Sequence, residues 1–201
     1  MSMPLDDLAH LPEETLLALY AAGDRSAARV LTLRLTPRIL GFAARLLGDR
    51  AEAEDVAQEA MLRLWRIAPD WRAGEAQVTT WLYRVVSNLV TDRQRARTRR
   101  RADSLEDAAE PVDESLGAYA TLLERDRMAA LDAALALLPD RQRQAVVLRH
   151  LEGLSNPEIA TIMEIGVEAV ESLTARGKRA LAAALAGQRA ELGYEDEGVS
   201  P

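Results

Sequence analysis

The sequence predicts an all-α protein built as two small helical domains joined by an acidic, flexible linker. Three observations predict it. Apolar residues recur at helical spacing along nearly the whole chain, and no run alternates cleanly at period two. Aromatic residues make up 4% of the 201 residues, and the 11 Gly and 8 Pro are too few for a strand-rich sandwich or barrel. The composition then changes abruptly: residues 102–118 hold six acids, no base, one Pro and one Gly, which is a tether by composition. The expected division is a first domain at 1–101, a linker at 102–122, a second domain at 123–190 and a frayed tail at 191–201.

In chain order, Thr15 to Tyr20, Ala27 to Leu35 and Ile39 to Leu47 read as short helices punctuated by Gly23, Pro37 and Gly48. Asp49 to Ile67 is a longer helix ended by Pro69. Thr79 to about Arg97 is another, aromatic at its start. Helical periodicity resumes near Leu122 and continues to about Ala190, with breaks at Leu138-Pro139 and around Gly153.

Composition excludes several classes of function. With no Cys there are no disulfides, thiolate zinc sites or thiol nucleophiles. His10 and His150 alone supply a His-based metal site poorly, and His150 reads as a helix-end residue. No apolar run reaches the length of a membrane span, and the acids after Met1 argue against a secretory signal, so a cytoplasmic protein is expected. There is no glycine-rich phosphate loop, nucleophile signature or metal-spaced cluster, which argues against an enzyme, a cofactor or a small-molecule substrate. The net charge of −7 is unevenly spread: residues 1–101 carry 16 bases and 13 acids, residues 103–201 carry 9 and 19.

Three constellations carry the chemistry. Ser155-Asn156-Pro157-Glu158 fits a capped helix start, followed by the apolar face Ile159, Ala160, Ile162 and Met163. A break at 164–167, with Gly166 inside it, precedes a second helix that places Val170, Leu173, Gly177 and Leu181 on one side. Short helix, turn and longer helix form a helix-turn-helix pattern, although an ordinary helical hairpin has the same spacing. The outer arc of the second helix carries Glu168, Glu171, Ser172, Ala175, Arg176 and Arg179, with Lys178 beside them. The second constellation is the run Arg93, Arg95, Arg97, Arg99, Arg100 and Arg101, more cations than a helix end needs, with forks that suit phosphate. On the helix before it Arg84, Asn88, Thr91 and Arg95 share a stripe able to touch backbone and base edges. Trp81 and Tyr83 could stack on unpaired bases or belong to the core. The third is the helix 49–67, whose core face is Val56, Ala57, Ala60, Met61, Leu64 and Trp65. Opposite lie Asp55, Gln58, Glu59 and Leu62, where a Leu amid acids and an amide is either an interface anchor or an ordinary exposed Leu.

Together these segments resemble the extracytoplasmic-function branch of the bacterial sigma-70 family of RNA polymerase sigma factors. The run 55–65, Asp55-Val56-Ala57-Gln58-Glu59 onward to Trp65, is similar to the family's polymerase-binding helix. Thr80-Trp81-Leu82-Tyr83-Arg84 onward to Arg93 resembles its promoter-melting and −10-reading segment. Leu138-Pro139-Asp140-Arg141-Gln142-Arg143, then Leu148 through Ser155, resembles the opening of its second domain. Glu158-Ile159-Ala160 and Arg176-Gly177-Lys178-Arg179 continue into the −35-reading helices. The sigma-E-like proteins of alphaproteobacteria, whose anti-sigma partners often bind zinc, are the nearest branch on this resemblance.

The resemblance implies core RNA polymerase, promoter DNA and an anti-sigma factor clamped between the domains as partners, and −10/−35 stress promoters as targets. It implies polymerase binding by Asp55, Gln58, Glu59 and Leu62. It implies −10 contact by Trp81, Tyr83, Arg84, Asn88, Thr91, Arg95, Arg99 and Arg100, and −35 contact by Glu171, Ser172, Ala175, Arg176, Lys178 and Arg179. The reading helix departs from the family, which usually has Pro at Gly166, small or hydroxyl residues at Glu168 and Ala169, and bases at Glu171 and Leu173. The −35 sequence is therefore expected to be atypical. The competing reading is a stand-alone helix-turn-helix regulator with a sensory N-terminal domain.

Overall fold

A computed structural model describes residues 8–72, 74, 76–103 and 119–186, without the side chains of 101–103 and 119–125. The core of the expected linker at 104–118 and the expected tail at 191–201 lie outside the described residues. Among the described residues the regular elements are all helical: α1 Glu13–Ala21, α2 Arg25–Leu47, α3 Arg50–Ile67, α4 Val78–Asp103, α5 Tyr119–Ala136, α6 Asp140–Val146, α7 Asn156–Met163 and α8 Val167–Leu185. Helix thus occupies both ends of the stretch read as a tether.

Where the sequence suggested two short helices broken at Pro37, the chain runs as one helix, α2. Leu31, Leu35, Ile39, Phe42 and Leu46 recur at helical spacing and are all buried, so packing holds one continuous face. Pro37 sits on the opposite, exposed side near the exposed Leu33, where the backbone carbonyl it frees can reach water. Asp24 caps the start by accepting from the Ser26 amide at 2.8 Å. Gly48, left-handed at φ 64°, ends it by donating to the Ala44 carbonyl. Asp49 at once caps α3 through the Glu52 amide at 3.0 Å. α1, α3 and α4 pack around α2, and this bundle is the first domain.

In the second domain α8 packs against α5, α6 and α7. α6 widens into a π-helical turn, Val147–Leu151, which lets the four consecutive residues Ala145 to Leu148 all turn inward. α7 starts with the expected capping box between Ser155 and Glu158. The turn between α7 and α8 falls at the expected break. Gly166 is extended (φ −70°), and the left-handed residue is Glu164 at φ 54°. α6 and α8 lie close together at Gly177: a Cβ there would fall 2.5 Å from Val146 Cγ2 and 3.2 Å from the Gln142 carbonyl oxygen.

The two domains touch. α4 packs along α7, and α2 meets α5 and α6, so the buried apolar residues form one continuous cluster.

The Gly177 contact gives a test of the second domain's packing. Gly177→Ala gains up to about 1 kcal/mol of helix propensity. It must also displace a stiff, buried Val146 or the Gln142 backbone, an overpacking cost of about 1–3 kcal/mol. The net result expected is a lower melting temperature by calorimetry.

Candidate nucleic-acid and protein interfaces

On α3 the helical period turns Ala53, Val56, Ala57, Ala60, Met61 and Leu64 into the core and leaves the opposite arc outside. Asp55, Gln58 and Leu62 are exposed, Leu62 at 42%. Glu59 beside them accepts from Arg63 Nε at 2.9 Å, and that bond holds its carboxyl below the usual range. Gln58 and Leu62 also form one rim of a groove of about 440 Å³ whose other rim is Thr32, Thr36 and Leu40 of α2. The buried Thr36 hydroxyl has no hydrogen-bond partner. An apolar floor with an amide and carboxylates at its edge is suited to a helix or hairpin carrying apolar and basic side chains.

On α4 the aromatic residues face inward. Trp81 is half-buried and meets Trp71 edge-on, with ring centroids 5.9 Å apart at 89°. Tyr83 is 1% exposed and packs edge-on against Phe42 at 5.1 Å. Its hydroxyl donates to a Glu152 carboxylate oxygen from the second domain. Burial, then Glu152, push the phenol well above its ordinary pKa. In this arrangement of the domains Tyr83 is a core residue and offers no ring to a base. Arg84 is exposed, but both its Nε (3.0 Å) and Nη2 (2.6 Å) donate to Oε1 of Glu164. Asn88, Thr91, Arg95 and Arg99 line one wall of a groove of about 930 Å³. Asp140, Arg141, Gln144, Met163 and Glu164 line the other.

The Arg run is divided by the helical period. Arg93 and Arg97, four apart, point back at the first domain. Arg93 donates to the Glu52 carbonyl. Arg97 reaches Asp49 Oδ2 at 3.2 Å, Glu52 Oε1 at 3.1 Å and the Leu47 carbonyl at 3.0 Å. Arg95, Arg99 and Arg100 are exposed, and Arg99 and Arg100 reach carbonyls of their own helix in long contacts, both at 3.4 Å. The run is therefore not one phosphate-binding block: part of it fastens α4 to the α2–α3 corner. The four-residue spacing, with acids waiting at the start of α3, was the signal in the sequence. Arg101 has no described side chain.

On α8 Val170 and Gly177 are buried and Leu173 and Leu181 half-buried, which turns Glu171, Ser172, Ala175, Arg176, Lys178 and Arg179 outward, all exposed. This is one solvent-facing arc of mixed sign. Glu171 accepts a long hydrogen bond from Asn156 Nδ2 at 3.4 Å, and Arg176 Nε reaches the Ser172 carbonyl at 3.2 Å. Behind the arc, partial burial and then the Lys178 and Arg149 charges push His150 below its ordinary pKa.

Three residues that join the domains were not singled out from the sequence. Arg143 donates to the carbonyls of Leu135, Ala136, Leu138 and, across the domain boundary, Leu46. Glu152 takes the Tyr83 hydroxyl and lies 3.9 Å from Arg38 Nε. Glu164 holds Arg84. No periodic signal marks such pairs, because each joins positions far apart in the chain.

Among the described residues no group of three or more His, Asp or Glu side chains could hold a metal ion, and no helix is long and apolar enough to cross a membrane.

Comparison with known proteins follows this geometry closely. The Sigma-70 region 2 family matches residues 31–100, and the Sigma-70 region 4 family matches residues 128–181. The RNA polymerase sigma-H factor of Pseudomonas aeruginosa is 34% identical over 182 residues, spanning 86% of this chain and 93% of that protein. The ECF RNA polymerase sigma factor SigW of Bacillus subtilis is 32% identical over 170 residues, 79% of this chain and 89% of that protein. Among solved structures, CnrH in complex with the cytosolic domain of CnrY is similar at a TM-score of 0.62 and 26% identity, covering 87% of this chain and 97% of that one. The sigma factor RpoE of Bartonella quintana, solved with the anti-sigma factor NepR, shares the fold at a TM-score of 0.67 and 24% identity, covering 77% and 94%.

The divided Arg run separates stability from nucleic-acid binding. Arg97→Ala removes a part-buried cation from two carboxylates and a carbonyl, and should lower the melting temperature. Arg99→Ala should leave melting unchanged, weaken binding to DNA of any sequence and reduce the slope of affinity against salt by about one. Thermal melts beside salt titrations of both variants check the pair.

Proposed function

The chain belongs to the sigma-70 family, as an extracytoplasmic-function RNA polymerase sigma factor, and on that premise we propose how its surfaces divide the work. The first domain, 1–101, docks on core RNA polymerase through Asp55, Gln58, Glu59 and Leu62 of α3. α4 reads and opens the −10 element with Trp81, Tyr83, Arg84, Asn88, Thr91, Arg95, Arg99 and Arg100. The second domain, 123–190, sets the outer arc of α8 against the −35 element. The targets are stress-response promoters. The chain contributes positioning and strand separation and no bond chemistry of its own.

The observation that carries this reading is the co-occurrence, on one chain and in order, of an exposed acid-amide-Leu arc on α3, a polar stripe on α4 and an exposed arc on a helix-turn-helix. The acidic balance supports it against a stand-alone regulator. Such a regulator must supply its own cationic surface for affinity, whereas a sigma factor shares the grip of the polymerase on DNA. An anti-sigma factor is the proposed restraint. The relative CnrH, solved bound to the cytosolic domain of CnrY, supports a protein partner of that kind.

Reconstitution tests the reading. Core polymerase should initiate at a cognate promoter only when this chain is added. Leu62→Ala, with the fold intact by circular dichroism, should weaken binding to core enzyme by about 1–3 kcal/mol, as an interface anchor does. Unchanged binding by Leu62→Ala and Glu59→Arg together would remove α3 from the polymerase interface.

At the −35 element, a carboxylate can accept from cytosine N4, and Asn156 already steadies Glu171. Glu171→Lys should change the preferred base at one −35 position, by about 1–3 kcal/mol. Selection from randomised −35 sites with each protein measures it. An identical set of selected sites would leave Glu171 a solvated residue.

A further inference from the structure

The contacts between the domains fall on the side of α4 proposed to meet the −10 element. Arg84, on the polar stripe, presents the edge of its guanidinium to one oxygen of Glu164, at 3.0 Å and 2.6 Å. That edge is the geometry with which Arg takes a phosphate, so the Glu164 carboxylate stands where a phosphate oxygen would. At the residue just before it on α4, Tyr83 is sealed by Glu152, whose side chain is only 8% exposed. Farther along, Asn88, Thr91, Arg95 and Arg99 face Asp140 of the second domain across the groove. At about 930 Å³ the groove is the size of a small-molecule cleft, and a promoter duplex does not enter it.

We propose that the second domain shields the −10 surface of its own chain, with Glu164 and Glu152 as the two groups that must let go before α4 meets DNA. This rests on the −10 assignment of α4 and adds to it a restraint that needs no second protein. The chemistry favours a reversible clasp. The Arg84–Glu164 pair is half exposed, at 49% and 58%, so it competes with water and salt. On opening, Glu152 and Tyr83 both pass into water, and neither is left buried and unpaired. These two contacts are polar, and polar contacts between domains of one chain part more readily than apolar ones. DNA phosphates and the two carboxylates then compete for the same cations and hydroxyl.

The absence of cysteine makes the test clean. Leu33→Cys on α2 and Leu137→Cys after α5, both strongly exposed, accept a donor and an acceptor dye that report the distance between domains. In the labelled full-length chain, Glu164→Gln and Glu152→Ala should each lower energy transfer. Each should also bind a pool of short single-stranded DNA oligonucleotides more tightly, by roughly fivefold for Glu164→Gln, the upper worth of an exposed ion pair. Asp126→Asn makes the same charge change on the exposed side of α5 and should do neither. Unchanged transfer in both variants would overturn the clasp. Lower transfer without tighter DNA binding would overturn the shield. Altered −10 base preference of Asn88→Ala in the assembled polymerase reports on α4 independently, so failure of the clasp and failure of the −10 assignment give different results.

Discussion

The last turn of α2 leaves backbone carbonyls that the helix cannot satisfy, and much of the molecule is arranged around them. Gly48 turns the chain left-handed and covers the Ala44 carbonyl, while those of Leu46 and Leu47 stay open. Gln94 and Arg97 of α4 and Arg143 of α6 fill them. Cations and amide donors at a helix C-terminus gain from its dipole as well as from the hydrogen bonds. Arg143 does this twice, because its other donors close the end of α5. One helix end therefore fixes the direction of α4, the seat of α6 and the meeting of the domains.

This changes how the arginines of the chain are understood. In a protein with 25 basic residues, position on the helical wheel decides whether a cation is structural or available. Arg93 and Arg97 are spent on Asp49, Glu52 and open carbonyls, and Arg143 on helix ends. Arg95, Arg99 and Arg100, between and beyond them, face solvent. A run that looks uniform in the sequence is thus two sets with different consequences, separated by about 100° per residue.

The all-helical class, the capping box at Ser155 and the outward arcs of α3 and α8 were legible because they depend on local spacing, which the sequence displays directly. Pro37 misled because the packing of Leu35, Ile39 and Phe42 on either side outweighs one missing amide. The break at 164–167 was legible, but not which residue in it turns left-handed. Glycine is the cheapest left-handed residue, yet Glu164 takes that conformation where α7 ends, and Gly166 is extended. The burial of Tyr83 was undecidable from its own helix, since the group that seals it, Glu152, lies 69 residues away. Contacts between distant segments leave no period to read.

Glu164 carries a consequence for the design of sturdier versions of this chain. A side chain at φ 54° is a mild backbone strain that glycine would relieve, and a consensus or stability-guided redesign would choose glycine at that position. The exchange would quieten the α7–α8 turn and, at the same stroke, delete the carboxylate that grips Arg84. Rigidity of the turn and closure of the molecule are thereby traded at a single residue, so ranking variants by heat resistance alone would favour the loosest domain pairing.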